Sequence, residues 1–476
     1  MHTNRHGSDR GKDTQTDNSL SSPIRDPQSA IRNSFHVVGV AGVGMSALAQ
    51  ALVASGARVT GSDRYHDRGD SLDILRQLAR TGIAVVPQDG IAVTASTTAV
   101  VVSTAIEDDN PDIAAARRLN IPVIHRAAML AKLVEGRRCV AITGTCGKST
   151  VTGMVGWILE QLGADPTVVN GAPVLNWRTD ECIGNVRIGK SALWVIEADE
   201  SDRSLLQFHP DWALITNVSK DHFEYDETRA LFDTFARQAR NPVLDASVPG
   251  GILDGFSPEV APVSSSFRFH DVKFHVPLPG RHNAENALCA VALCERMGYS
   301  LAGISDALAA FKGIHRRLEL IGKGGGVTII DDYAHNPAKI EAAWRAVQPA
   351  NGRMFAVWRP HGYKPLATML TELQTSFRSL WRPGDRILVL PVYDAGGTAS
   401  RTINSDALTA PLQAAGVKAA VASDYPAVLA AITDARPGDT ILVMGARDPH
   451  LPELARAIVD AVKRIEPEPR LSGADG

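Results

Sequence analysis

The residues with the strongest chemical signature are Gly144, Thr145, Cys146, Gly147, Lys148, Ser149 and Thr150. They follow an apolar run from Arg138 to Thr143 and precede a helical pattern that continues to Leu162. A strand, a glycine turn, Lys-Ser and a helix in that order make a cradle for phosphates, because backbone N–H groups of the turn and helix start face anionic oxygens. Lys148 would neutralise β and γ oxygens, and the Ser149 hydroxyl would ligate Mg2+. The loop is shorter than the common G-x-x-x-x-G-K-[ST] form, since Ile142 stands where the first glycine would be. Cys146 has no base beside it in sequence and reads as a neighbour of the phosphates, not a nucleophile.

Two further clusters belong with this loop. Glu197, Asp199, Glu200 and Asp202 place four acids within six residues at the end of an apolar run. Like charges so close repel unless a cation or solvent relieves them, and a hard cation with oxygen ligands fits. A solvated acidic strand end is the other reading. His222 follows the next strand and is either a metal ligand through its neutral imidazole or a structural histidine. A second glycine turn, Gly39 to Met45, also lies between a strand and a helix, with Asp63 closing the strand after it. A dinucleotide site with the acid on a ribose would look like this. Ala41 replaces the middle glycine of G-x-G-x-x-G, so a nicotinamide nucleotide, another nucleotide and a packing turn stay open.

The elements that must position these residues read as α/β throughout. Residues 1–34 lack aromatics, are rich in Ser, Asp, Asn and Arg, and read as a disordered tail. Residues 35–135 form one parallel α/β domain, 136–317 a second carrying the phosphate loop, and 318–464 a third; 465–476 read as a flexible tail. The fold class is therefore three consecutive α/β domains: Rossmann-like, P-loop ATPase-like with a parallel sheet, and Rossmann-like again. A length of 476 residues suits three domains at about 150 residues each. The net charge of −3 argues against general nucleic-acid binding, which needs a basic surface. No apolar run approaches the ~18 residues of a membrane span, and no apolar leader opens the chain. The five cysteines form no C-x-x-C pair and fit a reducing cytoplasm.

Twelve segments in order carry a resemblance: GVAGVGMSALA, VTGSD, VVSTAIEDDNPDI, IPVIHRAAMLAKL, ITGTCGKST, VNGAPV, EADESDRSLL, ITNVSKDHFE, LPGRHNAENALCAV, HRRLELIG, IIDDYAHNP and RPHGY. Over about residues 35–460 the chain resembles the Mur ligases, ATP-dependent amide-forming enzymes of peptidoglycan synthesis. The resemblance implies ATP and Mg2+ as cofactors, a cytoplasmic monomer or homodimer, and an acyl phosphate formed on the carboxylate of UDP-N-acetylmuramate. An amino acid or short peptide then attacks it. It also assigns UDP-N-acetylmuramate to the first domain, with Gly42, Gly44 and Met45 at the diphosphate. Ser62 and Asp63 would lie at the uridine end, and Ser103, Thr104 and Asn170 would line the same site. Asn286 resembles the adenine-contacting residue, and Arg317 and Asp332 the grip of the third domain on ATP. Glu197 and His222 resemble metal-site residues beside Ser149. His335 is a candidate to orient or deprotonate the incoming amine, and Lys148, Glu197 and His222 complete the catalytic set.

The helix expected over residues 229–240 carries no lysine, as in the alanine-adding and tripeptide-recycling branch. Four features depart from the family pattern. Cys146 and Ser149 stand in the phosphate loop where the alanine-adding enzymes carry His and Thr, and Ala334 and Asn336 stand where they carry Gly and His. Gly362 and Pro365 occupy places where arginines for the acceptor's carboxylate are expected, with Lys364 or Arg401 as substitutes. Residues 241–275 are short where a hairpin is expected. The acceptor therefore stays open between L-alanine and a different amine or peptide, including murein tripeptide or a substrate outside the cell wall. A folylpolyglutamate-type ligase would lack the first domain, and a degenerate nucleotide-binding scaffold would not need the intact charged residues.

Overall fold

The computed structural model describes residues 33–219, 223–394 and 400–464. The two tail expectations, apart from Asn33 and Ser34, and His222 lie outside the described residues. Ser34–Val38 runs through the middle of a five-stranded sheet. Arg58–Ser62 and Ala99–Val102 flank it, and Ala84–Val86 and Val123–His125 take the edges. All four pairings are parallel. Parallel strands need crossovers, and the helices between them cover both faces, so the central strand reads as an apolar run without alternation. Val37 and Val38 are fully buried. Gly39, at φ +71°, makes the sharp exit into helix Val43–Ala54.

The second sheet is ordered Leu244–Asp245, Trp212–Ile215, Arg138–Thr143, Leu193–Glu197, Thr167–Val169 and Val186–Arg187. Only the last pairing is antiparallel. Arg138–Thr143 lies inside it, so the phosphate loop leaves from a strand buried on both sides. Helix Lys148–Gln161 follows and packs on helix Arg281–Arg296, whose inward face is Ala, Leu and Cys. The short region before that helix still builds the expected hairpin. Ser265–Phe269 pairs antiparallel with Val272–Val276, and Phe267 stacks on Phe274 with centroids 5.3 Å apart.

The third sheet is ordered Glu319–Gly324, Val327–Asp332, Thr440–Gly445, Met354–Arg359, Arg386–Val389 and Ala419–Val421. Its first strand is antiparallel to the second. The crossing from the second lobe to the third runs through Arg316 and Leu318, both left-handed at φ 57° and 46°. Arg316 is buried there, with its guanidinium on Asp331 at 3.1 Å and on the Gly445 carbonyl at 2.6 Å. The first and third lobes also touch: the hydroxyls of Tyr65 and Tyr393 lie 3.2 Å apart. No helix among the described residues is long and apolar enough to cross a membrane.

Inside the first lobe Asp112 acts as a fully buried hub. Its carboxylate accepts from the Ser62 hydroxyl at 2.6 Å and the Gly90 N–H at 3.0 Å, and His36 Nε2 lies 3.3 Å away. Asp112→Ala strands all three groups in a dry interior. The expected outcome is a loss of about 3 kcal/mol or more, read as a fall in the urea midpoint that Asp112→Asn reproduces in part.

Candidate active site at the meeting of the three lobes

The phosphate loop is shaped by what it touches. Gly147 is left-handed at φ +84°, and a Cβ built on it would fall 2.2 Å from Asn286 Oδ1. Only glycine lets that asparagine, nearly buried on helix Arg281–Arg296, come so close. On the other side, residues 216–219 fasten the loop. Thr216 Oγ1 and Asn217 Nδ2 donate to the Cys146 carbonyl at 2.6 and 2.8 Å, and Asn217 Oδ1 accepts from the Cys146 N–H at 3.0 Å. Thr145 Oγ1 accepts from the Ser219 N–H at 3.0 Å. Sequence reading missed this clamp. Its signal is the run Thr-Asn-Val-Ser at a strand end, where short polar side chains bond nearby backbone.

The acidic run, open in sequence between a hard-cation site and a solvated strand end, is met largely by protein groups. Three of its four acids are compensated by protein groups. Lys148 Nζ donates to Glu200 Oε2 at 2.6 Å and to the Gly144 carbonyl at 2.8 Å. Arg126 Nη2 donates to Asp199 Oδ2 at 3.1 Å, and His125 Nε2 lies 3.3 Å from Asp202 Oδ2. His125 and Arg126 belong to the first lobe, so these contacts also join two lobes. Glu197 makes no ion pair among the described residues; its Oε2 accepts from the Gly171 N–H at 2.7 Å. Burial works against the Lys148 charge, yet Glu200, Asp199 and Glu197 outweigh it and hold the ammonium above its ordinary range. Burial likewise pushes on Asp199, but Lys148, the Ser201 N–H and Arg126 keep its carboxyl below the usual range.

Two cavities open on either side of these carboxylates. The first, about 540 Å3, is lined by the phosphate loop from Thr145 to Thr150 and by Asn286, Arg317, Asp332 and His335. It thus gathers the residues expected at ATP, Gly144 excepted, whose carbonyl instead holds Lys148. The second, about 340 Å3, is lined by Gly42, Gly44, Met45, Ser103, Thr104 and Asn170. Glu197 and Asp199 line both. Asn170 joins the two regions, since its Nδ2 donates to the Ser149 carbonyl at 3.1 Å. Arg126, not singled out from sequence, also lines the second cavity and packs on its glycine turn: a Cβ on Gly44 would fall 2.9 Å from Arg126 Nη1.

Ser62 and Asp63, expected at the uridine end, stand apart from these two cavities. Ser62 is spent on Asp112, and the Asp63 carboxylate accepts from the Ala41 N–H at 2.9 Å and the Tyr65 N–H at 3.0 Å. Asp63 holds the glycine turn in shape and caps the short helix Arg64–Asp67. An acid after the second strand of such a lobe looks the same in sequence whether it faces a ribose or its own backbone.

On the third-lobe wall, Asp332 is buried and accepts from the N–H groups of Leu318 and Ala334 at 2.7 and 2.8 Å. Arg317 lies over the Tyr333 ring at 5.2 Å. His335 Nδ1 lies 2.9 Å from the Tyr333 carbonyl. A carbonyl only accepts, so Nδ1 carries the proton and Nε2 is the open acceptor. Burial, then Lys339, His361 and Arg317, push His335 down to about 3. Metal ligands were expected at Ser149, Glu197 and His222. Ser149 and Glu197 share the first cavity. Among the described residues no three His, Cys, Asp or Glu side chains are grouped to hold an ion.

A phosphate loop facing a second nucleotide-sized cavity, roofed by a third α/β lobe, defines a multidomain nucleotide-dependent enzyme. Comparison gives the family. Mur ligase family, catalytic domain, matches residues 34–138; Mur ligase middle domain matches 142–234; Mur ligase, glutamate ligase domain, matches 316–447. A UDP-N-acetylmuramate–L-alanine ligase of Sinorhizobium fredii is 35% identical over 459 residues, covering 86% of this chain and 94% of the relative. One from a Bradyrhizobium species is 37% identical over 455 residues, covering 87% and 94%. Among solved structures, the UDP-N-acetylmuramate–alanine ligase of Thermotoga maritima superposes with a TM-score of 0.75 at 24% identity, over 91% of this chain and 100% of that one. A murein peptide ligase of Psychrobacter arcticus gives 0.61 at 22% identity, with the same coverage. The chain belongs to the Mur ligase family.

Two outcomes test this geometry. Gly147→Ala strains the loop and displaces Asn286, so the KM for ATP should rise about tenfold or more, as ~1–3 kcal/mol of strain would give, with the fold retained by circular dichroism. His335 falls from 6.5 to about 3 in the folded chain, so the unfolded chain binds its proton first as pH drops. That stability is complete above 6.5 and lost as pH falls toward 3. The melting temperature of His335→Gln should therefore fall less steeply between pH 6.5 and 4.5 than that of the unaltered chain.

Proposed function

We infer that this chain is an ATP-dependent ligase that joins an amine-bearing amino acid, L-alanine first among them, to the carboxylate of UDP-N-acetylmuramate in peptidoglycan precursor synthesis. The observation that carries this reading is the pair of cavities meeting at Glu197 and Asp199. A phosphoryl group held by the loop and a carboxylate held in the second cavity would meet there. The relatives named above carry that activity in their names, and the chain matches them over nearly their whole length.

A carboxylate resists attack because its charge repels nucleophiles and oxide is a poor leaving group. Transfer of the γ-phosphoryl group makes an acyl phosphate, the amine attacks its carbonyl, and phosphate departs. The protein's part is position and charge. Lys148, kept protonated by the acids around it, faces the phosphoryl oxygens together with the backbone N–H groups of the loop. Arg126 lies over the glycine turn and supplies a cation to the anionic sugar nucleotide. Asn286 sets the loop against the adenine side, and Arg317 and Asp332 bring the third lobe onto the nucleotide. His335, with Nε2 open and little tendency to hold a proton, orients the amine by accepting its hydrogen bond and does not store its proton.

Magnesium fits the donors present. Ser149 offers a hydroxyl, and Glu197 is the acid of the run without a cationic partner among the described residues. Mg2+ commonly takes one or two protein oxygens and completes its shell with phosphate and water. Bound at Ser149 and Glu197, it would neutralise charge on the transferring group. His222 remains the third proposed ligand. The cytoplasm, where the nucleotide substrates are made, is the proposed location.

A different acceptor is the second reading, and one observation favours it. Gly362, at φ +155°, abuts Pro365 and offers no side chain where a carboxylate partner was expected.

The test is product formation from ATP, UDP-N-acetylmuramate and L-alanine, followed by phosphate release and product mass. Lys148→Met with Glu200→Gln removes the charge without stranding Glu200, which is only 3% exposed. That double variant should fold normally and lose ligation. Retained turnover would remove the phosphate-loop assignment.

A further inference from the structure

The acceptor site lacks the arginines expected at positions 362 and 365, and the third lobe places other guanidinium groups near it. Most are already spent. Arg359 is paired with Asp448 at 2.5 Å, Arg316 with Asp331, and Arg401 holds Asp394 through two bonds at 2.7 and 3.2 Å. Arg401 is thus already engaged, and its fork would have to leave Asp394 before gripping a second carboxylate in the same way. Lys364 is exposed on helix Tyr363–Leu380, and an ammonium offers no planar fork.

Arg447 differs from all of these. It is exposed, and its side chain makes no ion pair or hydrogen bond among the described residues. It stands in the turn directly after strand Thr440–Gly445, at the end of the sheet where Asp332 and Arg359 also emerge. Its backbone is left-handed at φ 64°, a conformation that costs a long side chain about 1–2 kcal/mol. Its N–H reaches the Tyr333 hydroxyl at 3.4 Å. Tyr333 lines the first cavity and stands edge-on to His335 at 5.7 Å, and His335 in turn meets His361 at 4.9 Å. Its charge also reaches His361, where burial and then Arg447 hold the imidazole at about 4. A free fork is thus kept, at a cost in backbone strain, on the wall that carries the residue proposed to orient the amine.

We propose that Arg447 binds the carboxylate of the acceptor, fixing an α-amino acid or a peptide with a free carboxylate so that its amine meets the acyl phosphate near His335. The proposal rests on the ligase reading given above. Arg447 is a specificity-determining residue here, since it grips the end of the acceptor that does not react.

The experiment compares L-alanine with L-alaninamide, whose carboxylate is masked, in the unaltered chain and in Arg447→Gly, Arg447→Lys and Lys364→Ala. Glycine suits the backbone at φ 64°, so the first variant should fold at least as well as its parent. The expected result is a KM for L-alanine raised about tenfold or more in Arg447→Gly, with KM for ATP and for the sugar nucleotide unchanged and the preference for acid over amide lost. Arg447→Lys should lie between. An unchanged KM and preference in Arg447→Gly, or transfer of the effect to Lys364→Ala, overturns the proposal while leaving the ligase reading in place. Failure of the unaltered chain to form an amide from L-alanine or a panel of peptides overturns both.

Discussion

Lys148 and Glu200 form an ion pair that is almost dry, and the site is built outward from it. Removing two charges from water is costly, and such a pair rarely adds net stability over an apolar one. Its value is positional. It fixes the ammonium at the mouth of the phosphate loop before any nucleotide arrives, so less side-chain order has to be created on binding. The same acidic strand end then recruits Arg126 and His125 from the neighbouring lobe. Two cations, Lys148 and Arg126, and the His125 ring therefore share one acidic run across two lobes, and the two cavities meet beside it.

Absent side chains matter as much as present ones. Asn286 approaches the loop only because Gly147 has no Cβ, and Arg126 lies on its turn only because Gly44 has none. In both places a missing methyl group admits a polar side chain against backbone that will face phosphate. This is a tighter constraint than flexibility, and it ties residues far apart in the chain to one geometry.

Much of this was legible in the sequence. The strands Phe35 to Val38, Arg138 to Thr143 and Val327 to Asp332 are mostly apolar without alternation because both faces of their sheets are covered, and such runs stand out. Short edge strands such as Ala84–Val86 and Ala419–Val421 did not, since three residues carry no period. The phosphate loop announced itself by Lys and Ser after glycine. Asp63 is harder to read, because the residue type is right for a ribose and equally right for a backbone cap, and its bonds to the Ala41 and Tyr65 N–H groups come only from the fold. The clamp at residues 216–219 and the lobe-bridging role of Arg126 depend on contacts between segments distant in sequence, which no local pattern encodes.

The hydroxyl contact between Tyr65 and Tyr393 has a mechanical meaning. It joins the first lobe to the third, and the second already touches both, so the three bodies form a closed triangle and not an open chain. A triangle cannot hinge at one corner without giving way at another. Parting the first lobe from the third must break this contact between two phenols, so the closed arrangement of the three bodies and the opening needed to admit substrates pull against each other there.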